Sequence, residues 1–129
     1  MSAAKRPRSR ARRVVTIVGS AVFGLLVVGV LGLVLWSQVG VMGAEAGPLD
    51  AVRDDARIEL ADVDGSVVMS PADGDSEVGL VYIPGAKVDA EGYAAKLSGL
   101  VADEGMTVVL TRPWLNLAFF DPRPLSAFT

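Results

Sequence analysis

The residues best suited to chemistry in this sequence lie in one short turn, Pro84-Gly85-Ala86-Lys87, directly after the apolar run at residues 78–83. Pro84 has no backbone N–H and fixes its own φ, so it ends strand pairing. Gly85 permits a tight turn and a close approach to the backbone. The amides that follow face the start of a helix, where negative charge is stabilised. An ordinary strand-to-helix turn explains the same residues, and that alternative stays open.

A second loop of unusual composition, residues 112–121, follows the next apolar run. It places three large aromatic side chains beside a single amide side chain, Asn116. A free loop of this kind would expose too much apolar surface to water, so we expect it to line a pocket or to lie under another element. Packing of a following helix is the alternative. The pocket-lining candidates are Trp114, Asn116 and Leu117.

Both loops follow predicted strands of a parallel sheet. Residues 78–83 and 106–111 are continuous apolar runs, which are typical of strands buried on both faces. Between them, apolar residues recur at helical spacing over residues 90–104, with Asp89 as a plausible N-cap and Gly105 as a left-handed end. This order predicts a right-handed β-α-β unit. Ligands of such sheets bind beyond the carboxyl ends of the strands, which is where both loops lie.

Two shorter strands are predicted to form a hairpin before this unit. Residues 57–61 alternate polar and apolar side chains, Asp64-Gly65 is a turn signal, and residues 66–70 form the second strand. The expected fold class is therefore α/β. Residues 106–111 are expected to leave an open strand edge, which is an aggregation risk.

An apolar segment, residues 14–36, precedes all of these elements and carries no charged residue. As a helix it would span roughly 35 Å, enough for a bilayer core of about 30 Å. Half of the 12 basic residues precede the segment, and all 15 acidic residues follow it. Basic flanks stay in the cytoplasm. The prediction is a single-pass protein of the cell membrane, held in the lipid bilayer through residues 14–36, with a cytoplasmic N terminus and an extracytoplasmic C-terminal domain.

A cleaved signal peptide is the alternative for this segment. Ala44-Glu45-Ala46 has the small residues that a signal peptidase prefers, and cleavage after Ala46 would release a secreted product. The apolar region is longer than the roughly 7–15 residues of a signal-peptide core, which favours an uncleaved anchor. The basic tail, residues 1–13, is interpreted as a topology signal that meets anionic lipid, and nucleic-acid binding is not expected.

The order of turn, helix, strand and loop resembles a bacterial α/β-hydrolase-fold family whose members often carry one membrane anchor. The similarity rests on VGLVYIPGAKVDAEGYAAKLSGLVADEGMTVVLTRPWLNLAFFD and extends over residues 58–128. Family members usually have Gly in place of Ala86 and Pro in place of Ala90. The resemblance implies a serine hydrolase of an ester or similar acyl bond, without cofactor or metal. It also implies that the backbone N–H of Ala86, or of Lys87, is one arm of an oxyanion hole.

The catalytic residues of that family do not occur in this sequence. There is no Gly-x-Ser-x-Gly elbow and no histidine, so a Ser-His-Asp triad cannot be assembled from this chain. The absence of cysteine excludes a cysteine nucleophile and thiolate metal sites. Ser98 and Ser126 are hydroxyls without a base, and a Ser–Lys pair using Lys87 or Lys96 is the formal remaining alternative.

We therefore expect residues 57–129 to be a partial α/β-hydrolase domain, the first half of the sheet, joined to the span by a linker at residues 37–56, within which residues 48–56 are compatible with one or two helical turns. On this interpretation the chain is an amino-terminal fragment that is inactive alone, and a small acyl or ester substrate binds only to a full-length form. The alternative is a complete, non-catalytic single-span membrane protein that acts as an interaction or structural module.

Overall fold

The computed structural model describes residues 8–74 and 76–128, which fall into two compact units, Met1–Trp36 and Ser37–Thr129. The described residues of the first unit form a single helix, α1, which spans Arg8–Gln38 and so ends just inside the second unit. Its apolar part has a mean hydropathy of 2.6, and by length and composition it can cross a membrane. The predicted basic tail lies partly outside the described residues.

The second unit, called the C-terminal unit below, is built on a mixed sheet of four strands. β1 (Ile58–Val63) and β2 (Ser66–Pro71) form an antiparallel hairpin. β3 (Gly79–Tyr82) and β4 (Thr107–Leu110) are parallel to each other. The strand order is β1-β2-β4-β3, with β4 antiparallel to β2. The predicted α/β class is confirmed, and the predicted hairpin precedes the β-α-β unit in this sheet.

The position of β4 corrects one expectation from the sequence. Residues 106–111 do not leave an open edge, because β4 lies between β2 and β3, and Val108 and Leu110 are fully buried. The edges of the sheet are β1 and β3. β3 is therefore not buried on both faces: Gly79 is exposed and the rest of the strand is half-buried. An apolar run predicts that a segment forms a strand with little exposed polar surface. It does not predict whether that strand lies at the centre or at the edge of the sheet, because this depends on which distant strands pair with it.

The crossover between β3 and β4 begins as a 3₁₀ helix, Ala90–Tyr93, and continues as α3, Ala94–Ala102. The Asp89 carboxylate accepts a hydrogen bond from the Glu91 amide at 2.9 Å, which caps the first turn as predicted. Gly105 ends the helix with φ +66°, a left-handed conformation that glycine adopts without strain. α3 packs on β2 and β4 and buries Ala94 and Val101 in the core.

A second helix lies in the segment that the sequence assigns to a linker, residues 37–56. α2 spans Ala46–Arg53, and its Leu49 and Val52 are buried in the same core as α3. Residues three apart lie on one face of a helix, and this face of α2 packs against α3 and β1. The core therefore draws on residues that precede the predicted domain start at residue 57.

Arg123 fastens the segment after β4 to the hairpin. Its guanidinium donates two hydrogen bonds of 2.7 Å to the Asp121 carboxylate and one of 3.3 Å to Ser66 Oγ. The Asp121 side chain is only 4% exposed. The Arg123 side chain is 30% exposed, so water and salt screen this pair in part, but less than a fully exposed surface pair.

We expect the Asp121–Arg123 pair to make the C-terminal unit acid-sensitive. The hydrogen bonds from Arg123 hold the pKa of Asp121 below its ordinary value. A lowered folded-state pKa stabilises the fold above the unfolded pKa of about 3.9, and that stabilisation is lost as the pH falls through the folded pKa. Denaturant unfolding of the full chain in detergent, repeated from about pH 6 to about pH 2, should show this loss.

The matched variants are Asp121→Asn and Asp73→Asn. Asp121→Asn removes the titrating group, so its free energy of unfolding should fall less steeply in acid than that of the unsubstituted chain. Asp73→Asn removes an exposed carboxylate and should keep the original slope. Identical slopes for Asp121→Asn and the unsubstituted chain would show that this pair does not control the acid response.

Candidate functional site: the turn after β3

The turn predicted from the sequence lies at the carboxyl end of β3. Pro84 is buried, while Gly85 and Ala86 are exposed to solvent. The chain then enters the 3₁₀ helix Ala90–Tyr93 through the N-cap Asp89. The candidate residues therefore lie between a strand end and a helix start, the place where the sheet topology puts ligands.

The Lys87 backbone is fixed on both sides. Its amide donates a hydrogen bond of 2.7 Å to the carbonyl of Asn116, and its carbonyl accepts one of 2.9 Å from the Met42 amide. Met42 and Val88 form an isolated parallel bridge, and the Asp89 amide donates to the Met42 carbonyl at 2.9 Å. The turn is thus clamped between the loop after β4 and the segment that follows α1.

These contacts distinguish between the Ala86 and Lys87 amides, the two oxyanion donors that the resemblance implies. The Lys87 amide is occupied by Asn116 and would have to break that bond to serve a ligand. Within residues 8–74 and 76–128, no backbone or side-chain group accepts a hydrogen bond from the Ala86 amide. Ala86 is therefore the remaining candidate, held directly beside a rigidly bonded residue.

Unusual backbone conformations converge at the same place. Lys87, Leu115 and Asn116 have φ values of +60°, +57° and +54°. Each such residue other than glycine costs on the order of 1–3 kcal/mol and persists only where its surroundings hold it. Here the Lys87–Asn116 hydrogen bond joins the strained positions directly. Strain collected at one contact is a feature of functional sites, and no local sequence signal at Lys87 or Leu115 predicts it.

The loop after β4 combines buried and exposed side chains. Leu117 is buried at 2% exposure, and Asn116 is half-buried at the turn. The Trp114 ring, in contrast, is 67% exposed and contacts Phe120 edge-on at 5.5 Å between ring centroids. The structure therefore brings Asn116 to the turn and leaves Trp114 at the surface.

A cavity of about 390 Å³ lies on the helix side of the turn. Apolar groups make up most of its wall, and Lys96 and Glu45 lie at its polar positions. It does not include any of the three residues predicted to line a pocket. Its lining residues include Met42, Pro48, Leu49, Val88 and Tyr93.

The aromatic pair Tyr82 and Tyr93 links the end of β3 to the helix start. Their ring centroids are 4.7 Å apart and their planes are tilted by 49°. The neighbouring Tyr93 hydroxyl, together with burial, raises the pKa of Tyr82. The Tyr82 phenol is therefore neutral near pH 7, and the two rings act as packing and hydrogen-bonding groups beside the turn.

A chain of ion pairs borders the same end of the sheet. Arg112 is paired with Asp62 and lies 3.8 Å from Glu91, which in turn is 3.4 Å from Arg53. Their side chains are partly exposed, so each pair adds little to stability, typically about 0–1 kcal/mol. They balance the charge around the turn.

Ser98 and Lys96 are each engaged with groups of their own helix or of the helix start. Ser98 Oγ donates to the Ala95 carbonyl at 2.9 Å, one turn back in its own helix. The Lys96 ammonium lies 5.6 Å from the centre of the Tyr93 ring, a cation–π contact. In the part of the chain that the structure describes, no group of three or more His, Cys, Asp or Glu residues could hold a metal ion.

Comparison with protein-family models, with curated proteins and with solved structures found no match. The geometry of the chain itself defines the candidate site: a clamped, strained turn with one open amide at the carboxyl end of a strand.

Proposed function

We propose that the C-terminal unit is the amino-terminal part of an α/β-hydrolase domain, anchored in the cell membrane by α1 with the N terminus in the cytoplasm. In this proposal the turn after β3 supplies one oxyanion-hole donor for hydrolysis of an ester or similar acyl bond by a serine nucleophile. A hairpin followed by a parallel β-α-β unit is the arrangement that the resemblance implies. α/β-Hydrolases take one oxyanion N–H from the loop between the third strand and the following helix.

The open Ala86 amide carries the proposal. An oxyanion donor must be free to meet the charge that develops on a carbonyl oxygen, and it must be held in place beforehand. The Ala86 amide meets the first condition, and the hydrogen bonds of Lys87 to Asn116 and Met42 support the second. An ordinary turn requires neither the strained φ of Lys87 nor this double clamp.

The nucleophile and its base must come from residues outside these 129, since the sequence has no histidine and no serine elbow. The free side of β3 offers a place for such a strand. Val78 and Ile83, which flank β3, are 56% and 46% exposed. A bare strand edge bordered by apolar side chains favours pairing with a further strand.

The experiment begins with the coding sequence that follows codon 129, translated in all frames. We expect a Gly-x-Ser-x-Gly elbow followed by an acid and a histidine. The chain extended through those residues should react with a fluorophosphonate probe, whereas the 129-residue chain and an elbow Ser→Ala variant should not. An extended chain that carries the elbow but neither reacts nor cleaves esters would contradict the proposal. Unrelated sequence after a stop codon would favour a non-catalytic interaction module.

A further inference from the structure

We propose that the aromatic loop, residues 113–120, contacts the membrane itself and inserts Trp114 and Phe119 into the interface between lipid headgroups and acyl chains. This inference rests on one part of the proposed function, that α1 spans a bilayer. It does not depend on hydrolase activity. The partner is the lipid surface around the span.

The aromatic loop has the composition of an interfacial anchor. Its sequence, PWLNLAFF, contains no charged residue. Trp114 and Phe119 are 67% and 77% exposed. The half-buried Phe120 contacts both, with its ring centroid 5.5 Å from that of Trp114 and 4.5 Å from that of Phe119. Leu117 is buried beneath the loop and holds it to the core. The loop therefore presents two aromatic rings outward on a fixed base.

Hydrogen bonds tie the aromatic loop to the first residues of the C-terminal unit, at and just after the end of α1. Asn116 Nδ2 donates to the Ser37 carbonyl at 3.4 Å, and Ser37 directly follows Trp36, the last residue of the predicted span. The Asn116 carbonyl accepts from Lys87, whose own carbonyl accepts from Met42. Ser37 is covalently next to the last residue of the predicted span, so the proposal places this part of the C-terminal unit at the bilayer surface.

The surface next to the loop suits lipid as well. Residues 37–44 carry no charge, and within them Val39 and Met42 are 68% and 63% exposed. A Cβ added at Gly40 would lie 3.8 Å from Lys87 Nζ, which places a cation beside this segment. The C-terminal unit contains all the acidic residues and is repelled by anionic lipid, so an uncharged aromatic face with a nearby cation is the part that can approach.

Tryptophan rings favour the membrane–water interface because one part of the ring is apolar and the indole N–H remains hydrogen-bonded. A loop that instead lies under another protein element would also lose its exposure to water. Lipid contacts the Trp114 ring in the first case but not when another protein element covers the loop, and quenching by lipid measures this difference.

The experiment uses the full chain in vesicles of zwitterionic and anionic phospholipid. The sequence has two tryptophans, so Trp36→Phe leaves Trp114 as the only one. Its emission should be blue-shifted relative to a water-exposed indole. Lipids brominated near the headgroup end of the acyl chain should quench most of it, and aqueous acrylamide should quench it weakly.

Two further single-tryptophan chains serve as controls. Trp114→Phe leaves Trp36, which reports whether α1 is inserted. Glu104→Trp, made with both native tryptophans replaced by Phe, probes an exposed position before β4, at the opposite end of the strand from the aromatic loop. We expect brominated lipid to quench Trp36 and not the indole at position 104.

Each outcome decides a different point. Quenching of both Trp36 and Trp114 by brominated lipid supports the inference. Quenching of Trp36 alone overturns it: a Trp114 that acrylamide reaches is then a water-exposed loop, and one that acrylamide does not reach is covered by protein. If Trp36 is not quenched, the membrane span fails, and the inference is overturned with it while the proposed hydrolase chemistry remains testable in solution.

Discussion

Replacing Leu110 by Ala should lower the free energy of unfolding of the C-terminal unit by about 2–5 kcal/mol. Leu110 is fully buried on β4, where it pairs with Val67 of β2 on one side and with Tyr82 of β3 on the other. A central strand held on both sides cannot shift to fill the space that the side chain leaves, so a cavity remains. A small domain has only about 5–15 kcal/mol in total, so the loss is large.

Urea unfolding of the full chain in mild detergent measures this change, provided that the slope of the transition stays constant. Val63→Ala is the matched control, because Val63 lies on edge strand β1 and is 48% exposed. Its effect should remain within about 0.5 kcal/mol. If the two variants lose similar stability, β4 is not the central strand.

Replacing Ala86 by Pro in an active, extended form should lower kcat by about 10²–10³-fold, the effect of removing one oxyanion donor. Proline has no N–H, so the substitution deletes the proposed hydrogen bond to the developing oxyanion. That bond is made mainly in the transition state, so KM should change much less than kcat. Rates of ester hydrolysis over a range of substrate concentrations separate the two constants.

Ala86→Gly is the control for this substitution, because it removes the side chain and keeps the amide. It should retain most of the activity, and both variants should be checked for an unchanged thermal unfolding midpoint. The Lys87 amide, which Asn116 already occupies, cannot substitute for Ala86 without breaking that bond. If the Ala86→Pro enzyme has an unchanged kcat, the oxyanion donor is not the Ala86 amide.

Local signals made part of the fold predictable. The hairpin follows from Asp64-Gly65 between two short strand patterns, and both residues have positive φ, at +47° and +74°. Asp89 and Gly105 mark the two ends of the crossover in sequence and in structure. These features depend on neighbouring residues, so the sequence contains the information directly.

Features that depend on distant contacts were not predictable in the same way. The strand beginning near residue 106 lies at the centre of the sheet because the hairpin folds back onto it, with Met69 opposite Val108. The sequence allows one or two helical turns at residues 48–56, but so short a helix is stable only through packing, and the burial of Leu49 and Val52 in the core is not predictable from their spacing.

The candidate site also combines features that local sequence predicts with features that depend on distant contacts. Pro84 and Gly85 mark the turn in the sequence, but the two adjacent amides of Ala86 and Lys87 are equivalent there. The structure distinguishes them through a bond from Lys87 to Asn116, which is distant in sequence. The exposure of Trp114 likewise depends on how the whole loop lies on the unit, which composition does not specify.

A crystal structure of the extended chain after reaction with a phosphonate ester would show most directly whether Ala86 is an oxyanion donor. We expect a new strand paired with the free side of β3, carrying the modified serine. We also expect a phosphonyl oxygen about 2.7–3.1 Å from the Ala86 nitrogen, with the Lys87–Asn116 hydrogen bond retained. A phosphonyl oxygen bound elsewhere, or a β3 edge that stays unpaired, would contradict the proposed function.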